Sequence, residues 1–569
     1  MSGATKNGTP LSRKENASVG GDEGPGLKEA KKSINLLRGW PSTSLLPAEA
    51  LRRASQTVLS DPEIFNPALE YGPDPGYQPL REELARWLGQ FYGPAVASLS
   101  LKPELEAGSG SQPELRGAGN GEGSIGGIDD VSRITITGGA SQSIACILQS
   151  FTDPSYTRAV WMAAPCYFLA CPIFADAGFA GRLRAVPEDD DGMSASALEE
   201  KMRALERDEG GRWDREPRYK DPRPHRKVYR HVVYCVPSFS NPSGKTMPLA
   251  RREALVRIAR RHDALIICDD VYDMLSWPVS SSSSSSSSQT QTTPQPLPRL
   301  TDIDMLLGPS PHDPSPSPSL SFGHAVSNGS FSKLVGPGVR TGWTWSAPGF
   351  ASGLAQTGST RSGGAPSQLA AAVLREALRA GDVDAHVRGA LRPAFRRRHA
   401  LMAAAARQEL GALGRGVRVW DGQQEEGAGG VFGGYFLWIS FPREIETTTT
   451  DGGGNNGDRK EEEEEEKKKK VLFPPAAAIA ERCRRDEDLL VGWGPLFEVH
   501  GDEAAARFER DIRLCFAWED EEDLVEGVAR LARVVRKMLD EGPGGWDGDG
   551  DGGAEKKGDD GDGDLDGMK

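Results

Sequence analysis

Ser327-Asn-Gly-Ser-Phe-Ser-Lys333-Leu-Val-Gly-Pro-Gly-Val-Arg340-Thr-Gly-Trp343 is the stretch that decides the fold. A lysine follows a Ser-Phe-Ser turn, an arginine follows a Pro-Gly turn, and a β-rich run from Arg340 to Ser346 carries the chain away. Chemically this is one amine beside several anion-binding groups. A buried lysine loses its proton readily, which suits Schiff-base chemistry. Ser330, Ser332 and Arg340 could hold a phosphate near that amine. The same letters also fit a Ser/Lys-rich loop with a surface arginine, so the neighbouring segments must decide.

Working outward, short apolar runs alternate with amphipathic ones. Arg133–Thr137, Ala159–Ala164, Arg182–Val186, His231–Val236, Ala264–Asp269, Ala325–Gly329 and Thr341–Ser346 have the length and composition of buried strands. Ser194–Leu205 and Pro248–His262 have helical spacing between them. Seven strands with crossovers predict an α/β domain whose seven-stranded, mostly parallel sheet is flanked by helices. Upstream, Leu80–Phe91 is helical and Asn35–Pro47, broken by Gly and Pro, is an extended arm. After about residue 346 come helices (Pro366–Ala380, Ala390–Leu410), β-like runs (Phe432–Ser440, Ile512–Phe516) and a last helix at Asp523–Leu539, a smaller α+β domain.

The expected organisation is a disordered tail at 1–33, an arm at 34–50, a large domain at 51–345, a small domain at 346–540 and an acidic disordered tail at 541–569. Low-complexity loops interrupt the large domain at 101–128, 206–227 and 278–320, the last with an unbroken serine run from Ser280 to Ser288. Another interrupts the small domain at 443–470, where six Glu precede four Lys and a short exposed helix is the expectation. The net charge of −14 argues against a nucleic-acid binder, and half of it sits in the last 29 residues. Seven irregularly spaced cysteines, Cys235 and Cys268 within apolar runs, read as free thiols of a reducing compartment. No metal-ligand spacing, secretory signal or membrane span is visible, so the expected location is cytoplasmic.

Ligands of open parallel sheets bind beyond the carboxyl ends of the strands, and the polar residues cluster there. Thr137-Gly-Gly-Ala-Ser-Gln142 closes one strand and opens a helix, a turn able to face an anion or simply to be tight. Tyr167 follows another strand, as a stacking ring or a core aromatic. Pro237-Ser-Phe-Ser-Asn-Pro-Ser-Gly244 builds rigid backbone around Asn241. Asp269 and Asp270 follow the apolar Leu265-Ile-Ile run, and helix capping accounts for only one of them. With Lys333, these are the parts of a pyridoxal-phosphate site.

The chain resembles the class I/II aminotransferases of pyridoxal-phosphate fold type I. The resemblance spans about Ile34 to Leu539 apart from the insertions. It rests on Gly39-Trp-Pro41, Tyr71-Gly72 with Gly76 and Leu80-Arg81, Gly139-Ala-Ser-Gln142, Pro165-Cys-Tyr167, Asn241-Pro-Ser-Gly244, Asp269-Asp-Val-Tyr272, Ser330-Phe-Ser-Lys333 with Pro337-Gly-Val-Arg340, Gly433-Gly434 and Arg513. It is most similar to fungal relatives of the 2-aminoadipate, kynurenine and aromatic types. The resemblance implies that Lys333 is the Schiff-base and proton-shuttling lysine and that Asp269 pairs with the pyridine nitrogen. Asn241 and Tyr272 would bind the ring oxygen and Tyr167 would stack on the ring. Gly139, Ala140, Ser141, Ser330 and Arg340 would hold the phosphate. Tyr71 would reach that phosphate from a second copy, implying a homodimer. Arg513 would grip the substrate carboxylate beside Gly39 and Asn241, and Arg38 would read a distal carboxylate.

The implied activity is transfer of an α-amino group from an amino acid to a 2-oxo acid such as 2-oxoglutarate. Two other readings are a lyase or ACC-synthase-like enzyme on the same scaffold, and a non-catalytic regulator. The second needs a winged-helix domain, for which some 33 polar residues ahead of the arm are too few. Ser240 and Ser243 replace the family's usual Gln and Thr around Asn241, and Trp493-Gly494 replaces its Pro-Gly before Phe497.

Overall fold

A computed structural model describes residues 31–99, 130–209, 220, 225–279, 295–313, 320–364, 366–414, 416–422, 430–449 and 467–546. The expected tails up to residue 30 and beyond 546, the 101–128 insertion, most of 206–227, the serine run and the glutamate run lie outside the described residues.

All seven expected strands form. They are β1 (Ile134–Thr137), β2 (Ala159–Ala164), β3 (Leu183–Asp189), β5 (His231–Cys235), β6 (Ala264–Asp269), β7 (Ala325–Ser330) and β8 (Gly342–Trp345). An eighth, β4 (Gly192–Met193), folds back on β3. The order across the sheet is β1-β8-β7-β6-β5-β2-β3-β4. Strands β7, β6, β5, β2 and β3 run parallel to one another, β8 runs antiparallel between β7 and β1, and β4 runs antiparallel to β3.

The apolar runs are unbroken because both faces of the sheet are covered. Val160, Met162, Val232, Leu265 and Ile267 pack on one face with Phe151 and Phe350. Their alternates Trp161, Val233, Ile266 and Cys268 pack on the other with Leu255 and Ile258. The period of two splits each strand between two cores. The strand ends of β1, β2, β5, β6 and β7 then open toward a second layer. This layer is a four-stranded sheet, Arg418–Trp420, Phe436–Ser440, Asp511–Cys515 and Gly492–Trp493 in that order, flanked by Arg392–Ala405, Ala476–Glu487 and Glu521–Glu541. Helix Pro348–Ala355, although it follows residue 346, packs on the large sheet: Phe350 stacks on Phe151 at 4.0 Å and Thr135 donates to the Ala351 carbonyl.

The arm is extended. Ile34–Asn35 pairs in parallel with Leu489–Leu490, and Lys31 and Lys32 anchor it to Glu487 and Asp523. All seven cysteines are free and buried. Among the described residues no helix is long and apolar enough to cross a membrane.

Two low-complexity segments contain more structure than their composition suggests. Within 278–320, the strand Ser276–Val279 pairs with Gly430–Gly433 and the helix Leu300–Leu306 buries Leu300 and Ile303. Composition averaged this short amphipathic turn into its Ser/Pro surroundings. Within 443–470, the lysine run is not helical: Lys467–Leu472 pairs antiparallel with Glu444–Thr449. A β-branched threonine run offers the lysines a strand partner, and tertiary pairing outweighs side-chain spacing along one helix. Helix Ala195–Glu209 also runs into the 206–227 segment, whose far end is tied down by a buried Lys227–Asp263 pair at 2.8 Å.

Candidate active site

Where the strand ends meet the small sheet and the arm, a cavity of about 240 Å³ opens. Its lining includes Gly39, Ala140, Ser141, Tyr167, Asn241, Asp269, Tyr272, Ser330, Lys333, Arg340 and Arg513. Residues spread over 475 positions of sequence thus converge, most of them at or after a strand end of the large sheet, Gly39 from the arm and Arg513 from within a strand of the small sheet.

Lys333 follows β7 in a single turn of 3-10 helix whose N-cap, Ser330, accepts from the Ser332 N–H. Its ammonium donates to the Gly39 carbonyl at 2.8 Å. Burial pulls its pKa down to about 8, partly opposed by Cys515 and Asp269. Asp269 ends β6, where burial pushes its carboxyl up to about 6. One of its oxygens accepts from Tyr234 at 2.9 Å, while Oδ1 is buried with no hydrogen-bond partner among the described residues. A buried acceptor left open is costly, so this oxygen is suited to a donor such as a protonated ring nitrogen.

The phosphate end is built from backbone. Helix Ala140–Phe151 begins after Gly139 with no side-chain cap, leaving its first N–H groups free for an anion. Gly139 has φ +106°, and a Cβ there would come within 2.6 Å of the Arg340 guanidinium. Arg340 itself sits in the left-handed region (φ 43°) and donates to the Gly138 and Pro337 carbonyls at 2.9 Å. Ser330 donates to Ser332 at 2.9 Å on the same rim.

At the opposite end Arg513, from the central strand of the small sheet, lies between the rings of Phe436 (4.2 Å) and Phe497 (4.7 Å). It donates to Asn241 Oδ1 at 2.8 Å and to the Leu37 carbonyl. Burial lowers its pKa to about 10, still fully charged near neutrality. Tyr167 lines the wall, its phenol raised to about 12 by burial and by Asp269. Tyr272 is buried against Tyr435, ring centroids 5.4 Å apart.

The expected residues Arg38, Tyr71 and Gly139 are not in this lining, although Gly139 directly precedes Ala140, which is. Arg38 sits between two indoles, and Tyr71 is 89% exposed with its ring beside Gly363. Sequence reasoning missed Tyr234, whose hydroxyl inside an apolar strand was the available signal, and Tyr435, which donates to the Lys333 carbonyl at 3.3 Å. It also missed the arm carbonyls of Leu37 and Gly39, which have no signature in side-chain identity.

The donor set fits pyridoxal phosphate. A primary amine stands ready for its aldehyde, the open Asp269 oxygen for its ring nitrogen, and an uncapped helix end with Arg340 for its phosphate. Comparison with known proteins agrees. The family model for aminotransferase class I and II matches residues 126–531. An uncharacterized protein of Saccharomyces cerevisiae is 33% identical over 72% of this chain and 83% of its own length. The aromatic-amino-acid aminotransferase 1 of Thermococcus litoralis is 24% identical over 90% of both chains. The kynurenine aminotransferase of Pyrococcus horikoshii, solved with PMP, superimposes with a TM-score of 0.60 at 22% identity over 90% of this chain and 92% of its own. The chain belongs to the class I and II aminotransferases, enzymes that depend on pyridoxal phosphate.

Proposed function

We propose that this enzyme moves the α-amino group of an amino acid with a large apolar or aromatic side chain, kynurenine-like donors included, to a 2-oxo acid such as 2-oxoglutarate. The observation that carries the reading is that Lys333, Asp269 and Arg513 line one cavity, with Asp269 Oδ1 unpartnered among the described residues. Pyridoxal phosphate, when bound, supplies an electron sink conjugated to the substrate α-carbon. Lys333 Nζ would hold the cofactor and carry the proton removed from that carbon. Asp269 would keep a proton on the ring nitrogen. Tyr167 would stack on the ring, and Asn241 and Tyr272 would orient its oxygen. Gly139, Ala140, Ser141, Ser330 and Arg340 would bind the phosphate. Arg513, already oriented by Asn241, takes the substrate carboxylate by its fork of donors. The remaining wall, Leu37, Trp40, Pro41, Phe168 and Leu169, is apolar and suits a large side chain.

The test is an amino-donor screen with 2-oxoglutarate, following formation of the new 2-oxo acid. Activity with aromatic donors and its loss by at least about 10²-fold in Lys333→Ala supports the reading. Turnover that needs no 2-oxo acid with any donor overturns it in favour of a lyase. We further propose a homodimer in which Tyr71 of a second copy completes the phosphate site. Its exposure and its absence from this chain's own cavity support this. Mixing Tyr71→Ala with Lys333→Ala protein is then expected to restore activity, because one site of the hybrid has both residues intact. No recovery in an exchanging mixture counts against shared sites.

A further inference from the structure

The arm that closes the cavity is pinned along its backbone. Leu36 bonds through its N–H to Leu490 and through its carbonyl to Cys515, both at 2.8 Å, and Ser42 N–H donates to Ala517. Asn35 Oδ1 accepts from the N–H groups of Leu37 and Arg38 at 3.1 and 2.9 Å. The side chains of Arg38 and Trp40 therefore leave a backbone with little freedom. The Arg38 guanidinium carbon lies 4.6 Å from the Trp40 ring centre and 5.0 Å from that of Trp518. The two indoles meet edge to face at 5.8 Å and 89°. Arg38 Nε is buried with no hydrogen-bond partner among the described residues. Its guanidinium therefore has an aromatic ring within 5.0 Å on two sides.

Trp40, by contrast, lines the cavity and is 41% exposed. The cations of the lining are Lys333, Arg340 and Arg513, all committed elsewhere in the proposed reaction. Among the lining residues, none is left at the Trp40 end for a second carboxylate, and Arg38 stands behind Trp40 rather than in the lining. We infer that Arg38 is a positioning residue that wedges Trp40 upright as the wall of the substrate side-chain pocket. The pocket thereby selects flat apolar side chains over acidic ones. This inference rests on the aminotransferase reading for its reaction but not for its ligand preference.

The experiment uses holoenzyme and two unreactive carboxylates, 3-phenylpropanoate and glutarate, titrated by calorimetry, together with KM values for phenylalanine and glutamate as donors. Wild-type protein is expected to bind 3-phenylpropanoate more tightly. Arg38→Met keeps the apolar stem and removes the charge over the rings. It should weaken 3-phenylpropanoate and raise the phenylalanine KM by roughly 3- to 10-fold, the scale of a cation–π contact, while glutarate and glutamate stay unchanged. Trp40→Leu should show the same selective loss and Trp40→Phe should largely spare it. A selective loss of glutarate and glutamate in Arg38→Met overturns the inference, because Arg38 then reads a distal carboxylate. Equal losses for both ligands overturn it too, as a general collapse of the arm. If Arg38→Met does not fold, the two Trp40 variants decide. If no donor is turned over, the aminotransferase reading fails, while the calorimetric preference still tests the pocket.

Discussion

Asp269 shows how one residue combines a structural cost with a role in the proposed reaction. Its Oδ1 has no hydrogen-bond partner among the described residues, and its carboxyl is raised to about 6 by burial against the opposing pull of Tyr234 and Lys333. A carboxyl raised in the folded chain binds its proton first as pH falls, so its neutral form favours folding between its usual range and pH 6. The same proton removes the charge that would hold a ring N–H. Cofactor uptake by the apo protein, followed by fluorescence titration, is expected to weaken as pH drops through about 6. Asp269→Asn should bind at least about 10-fold more weakly, the scale of one hydrogen bond to a charged group, and should lack that pH dependence. Lys333 has the opposite sign. Its pKa is depressed to about 8, so burying its charge costs stability below that value. The cost fades as pH rises from about 8 toward the ordinary lysine range, where the unfolded chain still holds the proton.

At the scale of elements, the helix Ala140–Phe151 and the turn before it form one device. The helix start is available to an anion only because Gly139 lets the chain enter at φ +106° with the Arg340 guanidinium against it. Gly139→Ala adds a Cβ that both strains the backbone and displaces that guanidinium. It is expected to cost about 1 kcal/mol or more of stability and to weaken inorganic phosphate or cofactor binding, readable by urea unfolding and equilibrium titration. The glycine pair and Arg340 were legible as a candidate anion site. That they touch was not, because Gly138 and Arg340 are 202 residues apart and meet only when β8 pairs with β1.

On the scale of the whole molecule, the helix Leu300–Leu306 and the Arg299 before it are part of the foundation. Arg299 and Asp302 are 1% and 2% exposed and pair at 2.7 Å. Asp302 also meets Arg133 and the Trp345 indole N–H, while the Arg299 guanidinium lies over Tyr92 at 4.0 Å. This cluster joins the helix Gln78–Ala97, β8 and the helix Leu300–Leu306 beneath the site. Asp302→Ala leaves two buried arginines without their carboxylate and is expected to destabilise by about 3–5 kcal/mol, measured by denaturant unfolding.

The strands, their alternation and the chemistry-bearing turns are local properties. Runs of apolar residues, paired prolines around Asn241 and the Ser-Phe-Ser-Lys turn carry them in residue identity, so the sequence by itself determined the α/β class and a candidate site around Lys333. Strand order, the pairing of lysines with threonines and the packing of Leu300 and Ile303 depend on partners far along the chain, and only the tertiary structure decided them. The same holds for Arg38. Its letters suit a carboxylate reader, and only the position of Trp518, 480 residues away, places two rings around its charge. A side chain's chemistry is written in its type, but what it does with that chemistry depends on which distant surfaces the fold brings within a few ångströms.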